Sequence, residues 1–80
     1  MGSRVRAAAH AYRAAYREEW AEFLHDCFEG PAEVAVYFPV DLSTAQNWWD
    51  GATAPQAWAV GWALREPGLR ARFLARLEAA

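Results

Sequence analysis

Apolar positions recur at helical spacing along almost the whole chain. From Ser3 to Phe28 they fall on one stripe, strongest at Tyr16, Trp20, Phe23, Leu24 and Cys27, and weaker at Val5, Ala8, Ala9 and Tyr12. The segment is rich in Ala, Arg and Glu and has no internal Gly or Pro, so it reads as one long helix or two joined ones. Its first turns carry arginine, the wrong sign for a helix N-terminus, and residues 1–8 are expected as a flexible arm. Gly30-Pro31 closes this segment and opens the next. Val34, Ala35 and Phe38 then give a short helix its apolar face, and Pro39 ends it for want of an amide. Val40 plugs the corner, and Asp41 is an N-cap whose carboxylate can accept the amide of Ser43 or Thr44. The next helix, Leu42 to Asp50, buries Ala45 and Trp48 and turns Ser43, Gln46 and Asn47 outward, with Gly51 as its C-cap. After a loop at 52–54, Pro55 is expected to open a third short helix through about Glu66. It carries Trp58 and Trp62 one turn apart, Val60 and Leu64 on a neighbouring face, and Gly61 giving room for another helix. Pro67 opens the last helix, with Leu69, Phe73, Leu74 and Leu77 inward and Arg70, Arg72 and Arg76 mostly in water. The pattern predicts an all-α fold, a compact bundle of four to five helices forming one domain over residues 1–80.

Composition narrows the setting. At 80 residues the chain makes one small domain, and at 55% apolar it is too hydrophobic to stay disordered. Its apolar runs are short and interrupted by charge, which leaves no transmembrane helix and no signal-peptide core. Cys27 is alone, so no internal disulfide forms, and no zinc spacing is present. A reducing, cytoplasmic setting is expected, with no cofactor, metal or membrane partner. Charge changes the picture most. The net charge is −2, all eight cations are Arg, and none lies between Arg17 and Arg65. The central helices carry Glu33, Asp41 and Asp50 instead. Any phosphate clamp must therefore come from the two arginine-bearing ends folding beside the middle.

Two short helices at a sharp angle, joined by a Pro corner, have the layout of a helix-turn-helix, whose second helix enters the DNA major groove. Residues 32–55 resemble the helix-turn-helix of the lambda-repressor/Cro-like (XRE-type) family, through Val34-Ala35, Phe38, Val40, Ser43-Thr44, Ala45, Trp48, Gly51 and Pro55. Pro39 stands where that family usually has Gly, which fixes the turn's backbone differently. The resemblance implies a lambda-repressor-like bundle with the motif at about 32–51. Its structural core would be Val34, Ala35, Phe38, Val40, Ala45, Trp48 and Gly51.

The resemblance also implies roles for the outward residues. Leu42, Ser43, Gln46 and Asn47 would reach base edges: Gln and Asn bond adenine through both side-chain groups, Ser bonds more loosely, and Leu touches a thymine methyl. Thr44 and the amides near Pro31 would meet phosphates. Arg4, Arg6 and Arg13 would act as a basic arm along the backbone or in a minor groove. Arg13 and Arg17 read better as a solvated face paired with Glu18, Glu19 and Glu22. Trp20 and Trp48 read as core. Trp49 either covers the last helix or is exposed, and Trp58 and Trp62 either close the core against the first helix or form an intermolecular face. His10 and His25 read as surface residues. His25 and Cys27 point about 160° apart on a helix, so no catalytic constellation forms and the chain is not expected to be an enzyme.

Two functions follow. In the first, the chain is a sequence-specific DNA-binding domain of a bacterial or phage-like transcription regulator, with recognition helix 42–49 in the major groove of double-stranded DNA, working as a homodimer if it reads two half-sites. In the second, the same scaffold is a protein-interaction module for RNA polymerase, another regulator or a second copy of itself.

Overall fold

A computed structural model describes residues 2–79. The chain folds as five helices: α1 Ser3–Cys27, α2 Pro31–Tyr37, α3 Leu42–Trp49, α4 Ala57–Arg65 and α5 Pro67–Ala79. No strand occurs among the described residues, and the fold is the all-α bundle that the periodicity predicts. No helix among them is long and apolar enough to cross a membrane.

Local chemistry sets most boundaries. α1 is a single helix that stops at Cys27, one residue before the expected end, because Phe28 is extended while its amide still closes on the Leu24 carbonyl at 2.8 Å. Ser3–Ala8, the described part of the expected arm, forms the first turns of this helix with exposed side chains; Met1 lies outside the described residues. Pro31 takes the first position of α2, where a missing amide costs nothing. Pro39 stops α2 at Tyr37, and the corner is finished by Phe38 N–H to the Val34 carbonyl at 2.9 Å and Val40 N–H to the Ala35 carbonyl at 3.3 Å. Asp41 then caps α3: its Oδ1 accepts the Thr44 amide at 2.8 Å and the Ser43 hydroxyl at 3.1 Å. At the other end Gly51 adopts φ +72°, with Gly51 N–H on the Trp48 carbonyl at 3.1 Å and Ala52 N–H on the Asn47 carbonyl at 2.9 Å. That pair of bonds is a Schellman motif, which uses a left-handed residue to satisfy two terminal carbonyls. α4 starts at Ala57, two residues later than Pro55 suggests, since Gln56 is extended at ψ 156°.

The core is aromatic. Trp20 of α1 is fully buried. Its ring centroid lies 5.2 Å from Phe23, 5.5 Å from Phe38, 5.7 Å from Trp48 and 5.5 Å from Phe73. Trp48 and Phe73 meet it edge to face at 88° and 87°, the geometry favoured by the ring quadrupole. Leu24, Val34, Ala45, Ala59 and Ala63 complete the interior. The buried alanines let helices approach closely; Gly61 does not, because a Cβ there would meet nothing within 4 Å. The Trp20 indole N–H has no hydrogen-bond acceptor.

Elsewhere packing overrides the linear pattern. Leu74, expected inward, is exposed, while Leu69 and Leu77 are half-buried beside Phe73. Arg76, expected in water, binds α1: Nε donates to Asp26 Oδ2 at 2.7 Å and an Nη to Glu22 Oε2 at 2.8 Å. α5 has only one face to give α1, and Phe73 and Arg76, three apart, are on it.

Two predictions concern this frame. Trp20→Ala costs about 3–5 kcal/mol, most of the stability of a small domain, whereas Trp20→Phe costs less than half as much because the ring contacts persist and the unpartnered N–H is gone; urea denaturation followed by far-ultraviolet circular dichroism measures both. Hydrogen bonds from Thr44, by side chain and backbone amide, and from Ser43 hold the Asp41 carboxyl below the usual carboxylate range. A lowered folded pKa contributes stability that is present above the unfolded value and lost as pH falls through the folded one. Asp41→Ala therefore has a lower urea midpoint than the parent at pH 7, and the two midpoints converge as the pH is taken below about 4.

Candidate nucleic-acid interface

α3 is held by its ends and its inner face. Ala45 and Trp48 are buried, and Val34 and Phe38 of the preceding unit lie in the same core. Ala35 and Val40 are half-buried against it, and Gly51 is half-buried. With those positions inward, 3.6 residues per turn carries Leu42, Ser43, Gln46 and Asn47 to the opposite face, and all four are exposed there. Thr44 is half-buried at the edge of this ridge, its amide taken up by the Asp41 cap.

The ridge residues differ in how ready they are to bond a base. Asn47 makes no side-chain hydrogen bond among the described residues, so both ends of its amide face solvent. Gln46 Nε2 donates to Asp50 at 3.1 and 3.2 Å. A carboxylate only accepts, so this pairing turns the Gln46 carbonyl oxygen outward and makes Gln46 an acceptor. Ser43 donates its hydroxyl to Asp41 and keeps its acceptor lone pairs. Leu42, 58% exposed, places an apolar side chain at the start of the ridge. Carboxylates thus stand at both ends of the ridge, Asp41 and Asp50.

The cations are placed differently from the linear reading. Arg4 and Arg6 are exposed in the first turns of α1. α1 meets the end of α3 near Arg17, whose carbonyl is 3.9 Å from a Cβ built on Gly51. At 1.5 Å rise per residue, Arg4 and Arg6 lie about 17–20 Å further along α1. Arg13 and Arg17 do not take the expected Glu partners: the ion pairs among the described residues belong to Arg76, which engages Glu22 and Asp26. The Arg76 hydrogen bond lowers the Asp26 carboxyl below its ordinary range. With His10, Arg13 and Arg17 instead line an open cleft of about 490 Å³ against Ala52–Ala54, the loop leaving α3. The signal for that face was in the chain, as His10, Arg13 and Arg17 at i, i+3 and i+7 with no acid before Glu18.

The aromatics outside the core also find partners. Trp49 is half-buried and covers neither α5 nor open solvent: its ring stacks on His25 of α1 at 3.7 Å, and its carbonyl accepts from His25 Nε2 at 3.0 Å. His10 and His25 are exposed. Trp58 and Trp62 are 46% and 43% exposed, so they do not close the core against α1. Trp62 instead leans on α2, donating Nε1–H to the Tyr37 carbonyl at 3.0 Å, with Arg65 over its ring at 5.8 Å. Among the described residues no three His, Cys, Asp or Glu side chains are grouped to hold a metal ion.

No family model matches the chain, and no curated protein or solved structure matches it.

Proposed function

We propose that this chain is a sequence-specific DNA-binding domain of a bacterial or phage-like transcription regulator, with α3 entering the major groove. One observation carries the reading. A helix capped at both ends and fixed by a buried indole turns four side chains outward, and Ser43, Gln46 and Asn47 among them offer the groups that base edges pair with. A rigid support of this kind favours readout by amides, because only their own side-chain freedom is then lost on binding. The domain binds and does no covalent chemistry.

A second reading is supported by the opposite charge argument. Asp41 and Asp50 repel phosphate, and Trp58, Trp62 and Val36 are exposed apolar groups on α2 and α4. In that reading the scaffold docks a protein such as RNA polymerase, another regulator or a second copy.

Titration of duplex fragments at several salt concentrations decides between them. The DNA reading expects an affinity that falls linearly on a log–log salt plot. In Gln46→Ala/Asn47→Ala the preferred site binds no better than random duplex while circular dichroism is unchanged. No binding at low salt, or a slope near zero, removes it. The docking reading expects Trp58→Ala to abolish complex formation in sedimentation while leaving the fold intact. Asp50→Asn keeps an acceptor for Gln46 and deletes one repelling charge, so it tightens binding to every duplex by about three- to fivefold near 0.1 M salt; fluorescence anisotropy reads this directly.

A further inference from the structure

We infer that His10, Arg13 and Arg17 on α1, with the Ala52–Ala54 loop, form a seat for the phosphodiester backbone of the DNA strand that flanks α3. The inference rests on the proposal that α3 is the groove-binding helix, and adds to it the residues that supply the electrostatic attraction.

The first observation is the lining of the cleft. His10, Arg13 and Arg17 follow at i, i+3 and i+7, so one face of α1 carries all three. The cleft they border is completed by Ala14 and the loop, and no carboxylate lines it. The two other clefts along α1 both include Glu22 and Asp26.

The second is that these charges have no partner within the described residues. Arg76 occupies Glu22 and Asp26 from the other side of α1, at 2.8 and 2.7 Å, and no ion pair forms there at Arg13 or Arg17. Two like charges one turn apart repel by a few tenths of a kcal/mol. A phosphate bound between them attracts both and offsets that repulsion.

The third is position. The loop is tied to the ridge by Ala52 N–H on the Asn47 carbonyl at 2.9 Å. The next amides, of Thr53 and Ala54, make no backbone hydrogen bond among the described residues, and both residues are exposed. A strand whose bases meet Asn47 passes its phosphates over this loop, which borders the same cleft as Arg13 and Arg17. Arginine suits such a seat because its planar fork bonds two phosphate oxygens at once.

The test is the salt dependence of duplex binding by Arg13→Gln/Arg17→Gln. The variant is expected to bind specific and random duplexes alike at least tenfold more weakly near 0.1 M salt. Its log–log salt slope becomes shallower by about 2, one unit for each phosphate that is no longer neutralised. The ratio of specific to random affinity stays as in the parent. Arg13→Lys/Arg17→Lys keeps the charge and holds the slope. If the Gln variant leaves the slope unchanged while Gln46→Ala/Asn47→Ala still destroys site preference, the phosphate seat is elsewhere and the groove reading stands. If the parent chain binds no duplex in a salt-dependent way, both fall together.

Discussion

The buried indole of Trp20 is the constraint that the rest of this domain depends on. It is the point at which α1, the corner after α2, α3 and α5 all meet, through Phe23, Phe38, Trp48 and Phe73 at ring distances of 5.2 to 5.7 Å. α2 and α3 have only seven and eight residues, too few to hold as helices in isolation. Their stability comes from packing, and Phe38 and Trp48, the side chains that hold the corner and α3 in place, both pack on that one ring. The centroid of Phe38 also lies 5.6 Å from that of Trp48 at 89°, so the angle between the two short helices is set by a triangle of aromatic rings and not by the turn alone. The cost is an indole N–H with no oxygen or nitrogen to accept it, tolerated because the ring area buried around it outweighs one missing hydrogen bond.

Pro39 acts inside this frame. It removes the amide that would have carried α2 onward, and Asp41 restarts the backbone two residues later. The corner then needs no glycine, since no residue in it has a positive φ. Gly51 is the one described residue that does, and it sits where α3 must turn back past α1: a Cβ built there would lie 3.8 Å from Ala21 and 3.9 Å from the Arg17 carbonyl. That gap is enough for a methyl group, so what reserves the position for Gly is backbone conformation and not space.

Features governed by neighbours in sequence are legible in the chain itself. Gly30-Pro31, Pro39, Asp41, Gly51 and Pro67 act through their own backbone chemistry and mark ends to within about two residues, the usual uncertainty of helix termini. The outward set on α3 followed from burying Ala45 and Trp48. What could not be read was which distant residue would claim a given side chain. Arg76 takes Glu22 across 54 positions of sequence, and His25 takes Trp49 across 24. Both choices depend on where α5 and α3 cross α1. Glu22 and Asp26 lie on the opposite side of α1 from Arg13 and Arg17, so the pairing with Glu22 expected for those arginines does not form, and a face that looked self-neutralised is left without an ion pair. Leu74 failed for a related reason: α5 has apolar residues on more than one side, and only its packing against α1 selects Phe73.

An acidic chain is a poor candidate for binding a polyanion when judged by net charge, but net charge is the wrong quantity at short range. At physiological ionic strength fields decay over about 8 Å, so a phosphate responds to the groups within that distance and not to the sum over the molecule. On α1 the signs are separated along the axis: cations at Arg4, Arg6, Arg13 and Arg17, acids from Glu18 onward. Along the axis Arg4 and Arg6 stand about 18–21 Å from Glu18, more than two screening lengths, whereas Arg13 and Arg17 are within one. Arg76 further quiets the acidic half by covering two of its carboxylates. What remains near the α3 ridge is a local contest between Asp41 and Asp50 on the ridge itself and the arginines beside its exit loop. In the proposed function that contest is useful. Carboxylates at the ridge weaken attachment to any duplex regardless of sequence, so attachment depends on what the base edges return to Gln46 and Asn47. In that function a penalty shared by every duplex cancels from the difference between sites, so the carboxylates lower the overall occupancy of DNA and leave discrimination to the base edges.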